Sequence, residues 1–309
     1  MKCTVCREPA VIDLKRHNAN FCADHLTNFC RQQVAKAIAE LDMFESDDHV
    51  LIAVSGGKDS LALWDILDKL GYRTTGVYLG LGIGEYSSES QQFVQRFASD
   101  HSLDLRVVDI NESFGFTIPD GAAAAKRVPC SACGLTKRHV LDSMVSEIGA
   151  DVLATGHNLD DEAAVLLGNV LHWQTEYLGR QHPVLPARNA LPRKVKPLVR
   201  LSEREMAAYC VVNGIDYVID ECPLAAGNKH LTYKAALNTV EAVSPGTKGA
   251  FFFSFLRNAH DRFAPAIDEP VELTSCGRCG SATTGEVCAF CRLVDRATQP
   301  VALTRKRTS

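Results

Sequence analysis

The segment that most restricts how this chain can fold is 50–60. An apolar run rich in β-branched residues, Val50-Leu51-Ile52-Ala53-Val54, passes directly into Ser55-Gly56-Gly57-Lys58-Asp59-Ser60, and Leu61, Leu63, Ile66, Leu67 and Leu70 then recur at helical spacing up to Gly71. Strand, glycine loop and helix in that order form the first unit of a parallel sheet. The alternation continues, with strands expected at Thr74–Leu79, Leu105–Ile110 and Val152–Thr155 and helices at Ser88–Ser99, Leu135–Ile148 and Asp160–Trp173. Ser202 and Glu205 spell a capping box for a helix through Val212, and the apolar Tyr217-Val218-Ile219 run predicts a last strand to Asp220. Five strands with crossover helices give an α/β fold, a doubly wound parallel sheet from about residue 45 to 225. An amphipathic helix from Phe29 to Leu41 precedes it, and 227–268 reads as helical, its Phe251-Phe252-Phe253 run as core.

The glycine loop is suited to an anion. It opens a helix, where free backbone N–H groups and the positive end of the helix dipole favour phosphate, and two adjacent glycines let the main chain wrap the ligand. Its spacing differs from the GxxxxGK[ST] loop that holds the β and γ phosphates of kinases and GTPases.

The chain also holds 12 cysteines among 309 residues, against 46% hydrophobic and 23% charged residues, a globular composition. No apolar stretch precedes Cys3, so no signal peptide is expected, and no run is apolar enough for a transmembrane helix. A cytoplasmic, reducing setting is expected, in which such cysteines are metal ligands or catalytic groups in preference to disulfides. Cys3, Cys6, Cys22 and His25 read as one zinc quartet, with His17 a weaker fourth ligand, and Cys276, Cys279, Cys288 and Cys291 as a second. Redox-active CxxC pairs are the competing reading of both. Cys30 and Cys210 read as buried packing residues. Cys130 and Cys133 form a third CxxC with no second pair nearby, and Cys222 is the residue that the fold can bring beside it, giving three thiolates and one vacancy.

Net charge is −4, which excludes wholesale coating of nucleic acid but not a local basic patch. One such patch is 188–200, with Arg193, Lys194, Lys196 and Arg200 and no acid; a phosphate-backbone contact and a solvated loop are its two readings.

SGGKDS after an Ala53-Val54 strand end resembles the PP-loop signature of ATP pyrophosphatases, which split ATP between the α and β phosphates and activate a carbonyl oxygen as an adenylate. With Pro129-Cys130-Ser131-Ala132-Cys133-Gly134, Gly156-His157-Asn158-Leu159-Asp160-Asp161, Cys222-Pro223 and both flanking quartets, the chain resembles the tRNA 2-thiolation enzymes of the TtuA/TtcA family. The terminal quartets and Leu79-Gly80-Leu81-Gly82-Ile83-Gly84 with Tyr86-Ser87 favour its 2-thiouridine branch. The resemblance runs from Cys3 to Cys291. It implies a 1–28 zinc finger, a 29–225 ATP-binding catalytic domain with a linker helix, a 226–268 helical extension, a 269–295 zinc ribbon and a disordered basic tail at 296–309. Implied cofactors are ATP, Mg2+, two Zn2+ and a 4Fe-4S cluster on Cys130, Cys133 and Cys222; a persulfide relay or a third zinc are the alternatives for these three. Ser55, Gly56, Gly57, Lys58, Asp59 and Ser60 are expected to hold phosphates, with Asp59 near magnesium. Ala53, Leu79 and Gly156 are expected around the adenine. Lys137 is expected on the α-phosphate, and Asp161 as a magnesium ligand or base. The implied partners are tRNA, a homodimer mate, and a ubiquitin-like sulfur carrier with a C-terminal thiocarboxylate or free sulfide. The expected reaction adenylates the C2 oxygen of a tRNA uridine, with U54 favoured over U34, and replaces it with sulfur. Another PP-loop adenylating enzyme would have no use for the three lone cysteines, and a non-catalytic RNA-binding adaptor none for Lys58, Asp59, Lys137 and Asp161.

Overall fold

Six strands make the central sheet of the chain, seen in a computed structural model that describes residues 1–188, 191–225, 229–263 and 273–299. Ahead of it β1 (Ile12–Leu14) and β2 (Ala19–Phe21) form a hairpin, and α1 (Ala23–Glu40) leads away. The sheet starts at β3 (His49–Val54), followed by α2 (Lys58–Lys69), β4 (Arg73–Gly80), α3 (Gly84–Asp100) and β5 (Asp104–Asp109). Helices α4 (Ile110–Phe114), α5 (Ile118–Ala124) and α6 (Pro129–Ile148) precede β6 (Val152–Thr155). Next come α7 (Leu159–Leu171), α8 (Thr175–Gly179), β7 (Val184–Leu185), β8 (Arg193–Val195) and α9 (Glu203–Val212). The extension holds α10 (Lys229–Val243), α11 (Thr247–Asn258) and α12 (His260–Phe263); the C-terminal module holds β9 (Thr274–Ser275), β10 (Ala282–Thr283) and α13 (Ala289–Thr298).

The strand order is β5-β4-β3-β6-β8-β7, parallel throughout except for β7, which runs antiparallel to β8. Helices cover both faces, so Val50, Leu51 and Ile52 of β3 are buried on either side of the pleat. The chain proceeds from β3 to β4 and β5 on one side and returns to β6 on the other. The carboxyl ends of β3 and β6 therefore open a crevice at the switch point.

Two sequence expectations change. The fifth parallel strand is β8, inside the basic segment, and Tyr217–Asp220 is not a strand. Val218 instead donates its N–H to the carbonyl oxygen of Gly56 at 3.0 Å, so this segment closes over the glycine loop; Val218 is buried while Ile219 is 84% exposed. α13 continues to Thr298, past the expected end of the ribbon, and the basic tail at 300–309 lies outside the described residues.

The terminal modules are attached by packing and charge. At the N-terminal end, Phe21 of β2 stacks on Phe29 of α1, and Arg16 ion-pairs with the fully buried Glu205 of α9. At the other end, Phe290 of α13 stacks on His139 of α6 with centroids 4.0 Å apart and meets Phe114 edge-on. In the extension Phe252 is fully buried, as core.

Candidate active site

The loop between β3 and α2 is tight. Gly56 adopts φ 83°, and a Cβ on it would lie 2.6 Å from the carbonyl oxygen of Ser90 in α3. Gly156, just after β6, approaches from the far side; a Cβ there would come within 2.9 Å of the Ser60 nitrogen. Both glycines are thus dictated by close backbone approach as well as by any ligand. The Ser60 hydroxyl accepts the Ser55 N–H at 3.1 Å and donates to the Gly57 carbonyl at 2.9 Å. Beside the loop a small cavity is lined by Ala53, Ser55, Leu79, Tyr86, Ser90 and Lys137, among others, and this arrangement brings four expected nucleotide residues together.

A chain of charges runs from the loop into the helical extension. Lys58 Nζ lies 3.2 Å from Asp59 and 2.8 Å from Glu203; Lys234 Nζ lies 3.4 Å from Glu203 and 2.7 Å from Asp161. Asn158 links the two aspartates, its side-chain amide donating to Asp59 at 3.0 Å and its backbone N–H to Asp161 at 3.0 Å. Burial raises the Asp59 carboxyl, against the pull of Lys58. Burial also opposes ionisation of Asp161, but Lys234 outweighs it and holds that carboxyl below its ordinary value. Lys58 is pulled down by burial yet held above its ordinary value by Asp59 and Glu203. Asp161 closes a capping box with Asn158 at the start of α7, so part of its duty is structural.

The three lone cysteines converge on the same crevice. Cys130 and Cys133 occupy the first turn of α6, and Cys222 follows the segment that covers Gly56. Exposed Cys130 donates to the Leu224 carbonyl at 3.3 Å. Cys133 is held protonated by burial and by the charges of Cys222 and Cys130, while Lys137 opposes this. Lys137 lies one helical turn beyond Cys133, lining the cavity beside the glycine loop and acting on the cysteine at once.

The quartets have a different geometry. In Cys3, Cys6, Cys22, His25 and in Cys276, Cys279, Cys288, Cys291 all ligand atoms lie within 4.8 Å of one another, and among the described residues the triad forms no such group. Backbone N–H groups hold Cys3 and Cys276 as thiolates, at about 6 in each case, against the desolvation that acts on both. Soft donors at single-ion spacing, one in each quartet already a thiolate, suit a tetrahedral metal. Three thiols spread more widely around a half-buried pocket suit a polynuclear cluster, whose ligands bind separate irons. His17 is not in the first quartet; it packs edge-on against Phe29. Cys30 and Cys210 are fully buried, the latter thiol pushed up to about 12 by burial.

The basic residues of the 188–200 segment do not converge on the crevice. Lys194 pairs with Asp142 at 2.6 Å and Lys196 with Glu162 at 2.7 Å, Glu162 being 2% exposed. Arg193 reaches Asp42 at 3.7 Å, and Arg200 pairs with Glu40 and lies over the Phe253 ring. These four charges are met within the fold, while Arg188 is exposed and has no carboxylate partner among the described residues. Sequence reasoning also missed Glu203 and Lys234. Glu203 is hidden inside a capping box, and nothing in the sequence of α10 distinguishes Lys234 from a solvated helix lysine.

With this geometry in place, a profile of the PP-loop domain matches residues 26–225, and one of the N-terminal LIM domain of 2-thiouridine synthetase TtuA matches residues 2–27. The chain is 48% identical over 295 residues to a tRNA-5-methyluridine(54) 2-sulfurtransferase of Thermus thermophilus, covering 96% of this chain and 91% of that one. It is 40% identical over 295 residues to the protein of the same name from Thermotoga maritima, with 95% and 96% covered. Among solved structures, the U34-tRNA thiolase NcsA from Methanococcus maripaludis, with its 4Fe-4S cluster, superposes with a TM-score of 0.79 at 23% identity over 96% of each chain, a likeness of fold.

Proposed function

Since the chain belongs to the PP-loop family of tRNA 2-sulfurtransferases, we propose that it converts a tRNA uridine, the 5-methyluridine at position 54, into its 2-thio form at the expense of ATP. The observation that carries this reading is that one helix, α6, presents Cys130 and Cys133 and then turns Lys137 into the cavity beside the glycine loop.

The C2 oxygen of uracil is a poor leaving group, and transfer of AMP to it makes it a good one. Residues 55–60 hold the phosphates through backbone N–H groups and the Ser55 and Ser60 hydroxyls. Ala53, Leu79 and Gly156 frame the adenine. Lys137 stabilises charge developing at the α-phosphate as the bond to pyrophosphate breaks. Asp59 and Asp161, tied through Asn158, are placed to hold the magnesium ion that accompanies ATP. Cys130, Cys133 and Cys222 would hold the 4Fe-4S cluster, which when bound supplies an iron without a protein ligand where inorganic sulfur can reside. Attack of sulfur at C2 expels AMP. The two quartets take zinc, and the protein works as a cytoplasmic homodimer that receives sulfur from a thiocarboxylated carrier or from free sulfide; no described helix is long and apolar enough to cross a membrane.

The test is a single assay under anaerobic conditions with reconstituted protein, tRNA, ATP and sulfide. AMP, pyrophosphate and 2-thiolated nucleoside at position 54 are expected in equal amounts. AMP release without thiolation would move the protein to another adenylating activity, and thiolation mapped to position 34 would reassign its nucleotide.

A further inference from the structure

The turn joining α5 to α6 departs from ordinary backbone preference at a lysine. Lys126 N–H bonds to the Ala123 carbonyl at 3.1 Å and Arg127 N–H to the Ala122 carbonyl at 2.9 Å, closing α5 with a Schellman turn. That turn places Lys126 at φ 52°, the left-handed conformation for which glycine is the usual residue. Its side chain is exposed and has no ion-pair partner among the described residues. Arg7, Asn18, Asp42, Ser102 and Trp173 share this conformation, so the backbone alone does not mark Lys126; its unanswered charge does.

Arg127 beside it is likewise exposed and without a carboxylate partner among the described residues. A third cation reaches this end of α6 from further along the helix. Arg138 projects back toward the first turn, its Nη1 lying 3.3 Å from where a Cβ on Gly134 would be, and its charge acts on Cys133. Across the mouth, Asp220 and Glu221 precede Cys222 and are exposed, so the opening is cationic on the lip formed by α5 and α6 and anionic on the other. Phe290 of the C-terminal module braces the cationic lip through His139.

We propose that Lys126, Arg127 and Arg138 form a phosphate clamp that seats the tRNA backbone on the α5–α6 lip, with the target base directed past Cys130 toward Lys137. The proposal rests on the function proposed above and adds the residues that position its substrate. Phosphate contacts fix the register of a nucleic acid without reading its sequence, which is what a base aimed into a crevice requires.

The experiment measures binding of unmodified tRNA over a salt series for three forms of the full-length protein: wild type, the triple variant Lys126→Gln, Arg127→Gln, Arg138→Gln, and the double variant Arg193→Gln, Lys194→Gln. Each phosphate contact contributes about 0.7–0.9 to the slope of log K against log salt. The triple variant is expected to lose about 2 from that slope, and the double variant is expected to keep it. ATP-induced thermal stabilisation checks that each fold is intact. A fourth variant separates charge from structure: Lys126→Gly is expected to raise Tm by about 2 °C by relieving the left-handed lysine while weakening tRNA binding several-fold. An unchanged slope in the triple variant overturns the clamp, as does normal tRNA binding combined with loss of thiolation only when sulfur comes from a protein carrier. Absence of salt-dependent tRNA binding in the wild type would instead overturn the functional reading on which the clamp rests.

Discussion

Two stretches of this chain are basic and free of acids, 188–200 and 121–141, and the fold treats them in opposite ways. In the first, Arg193, Lys194, Lys196 and Arg200 all find carboxylates, on the α1–β3 connection, α6, α7 and α1 respectively. In the second, Lys126, Arg127 and Arg138 remain exposed and have no such partner among the described residues. The cause is position. β8 lies inside the sheet between β6 and β7, so side chains there and just beyond it stand among helices that can answer their charge. The α5–α6 turn projects from the sheet at the mouth of the crevice, where only solvent or a ligand can answer. Local charge in a sequence therefore predicts a binding surface only after the fold has decided which charges are already spoken for.

The contrast can be broken in several ways. The largest effect is expected at Lys137, the cation of the second stretch that faces inward: Lys137→Ala should lower the thiolation rate about 100–1000-fold, as removal of one preorganised charge does, with tRNA affinity nearly intact. A wild-type rate would remove Lys137 from the chemistry. In the first stretch the cost should appear in stability. Lys196→Met leaves the buried Glu162 without its cation and should destabilise the fold by about 3 kcal/mol in denaturant titration, without altering the salt slope of tRNA binding. Lys194→Met, whose pair with Asp142 is partly exposed, should cost about 1 kcal/mol or less by the same measurement. Smallest is Lys126→Gln, expected to stay within about 0.5 kcal/mol of wild type in stability while weakening tRNA. If instead Lys196→Met cut the salt slope and Lys126→Gln cost stability, the two stretches would have exchanged roles.

What the residues announced in advance follows the same logic. Ser55 to Ser60 was legible because a buried strand, two glycines and a helix are contiguous, and the geometry that requires Gly56 involves only a neighbouring helix. The quartets were legible because their ligands are paired at short spacing. The strand β8 was not: three residues, Arg193-Lys194-Val195, carry no hydrophobic alternation, and their strand character comes from pairing with β6. The run Tyr217-Val218-Ile219 misled for the converse reason, since its apolar character reflects one buried contact with the glycine loop. Lys234 and Glu203 became visible only when α10 was seen against the start of α7, a juxtaposition 73 residues long in sequence between Asp161 and Lys234. The lysine at φ 52° could not be read either, because a Schellman turn usually announces itself with a glycine.

The central claim is that the cysteine triad and the ATP loop form one sulfur-transferring site. Its most direct test is Cys222→Ser, prepared and assayed anaerobically with tRNA, ATP and sulfide, with zinc content and tRNA binding measured on the same sample. The account predicts two zinc ions, wild-type tRNA affinity and no 2-thiolated nucleoside; thiolation at the wild-type rate would contradict it.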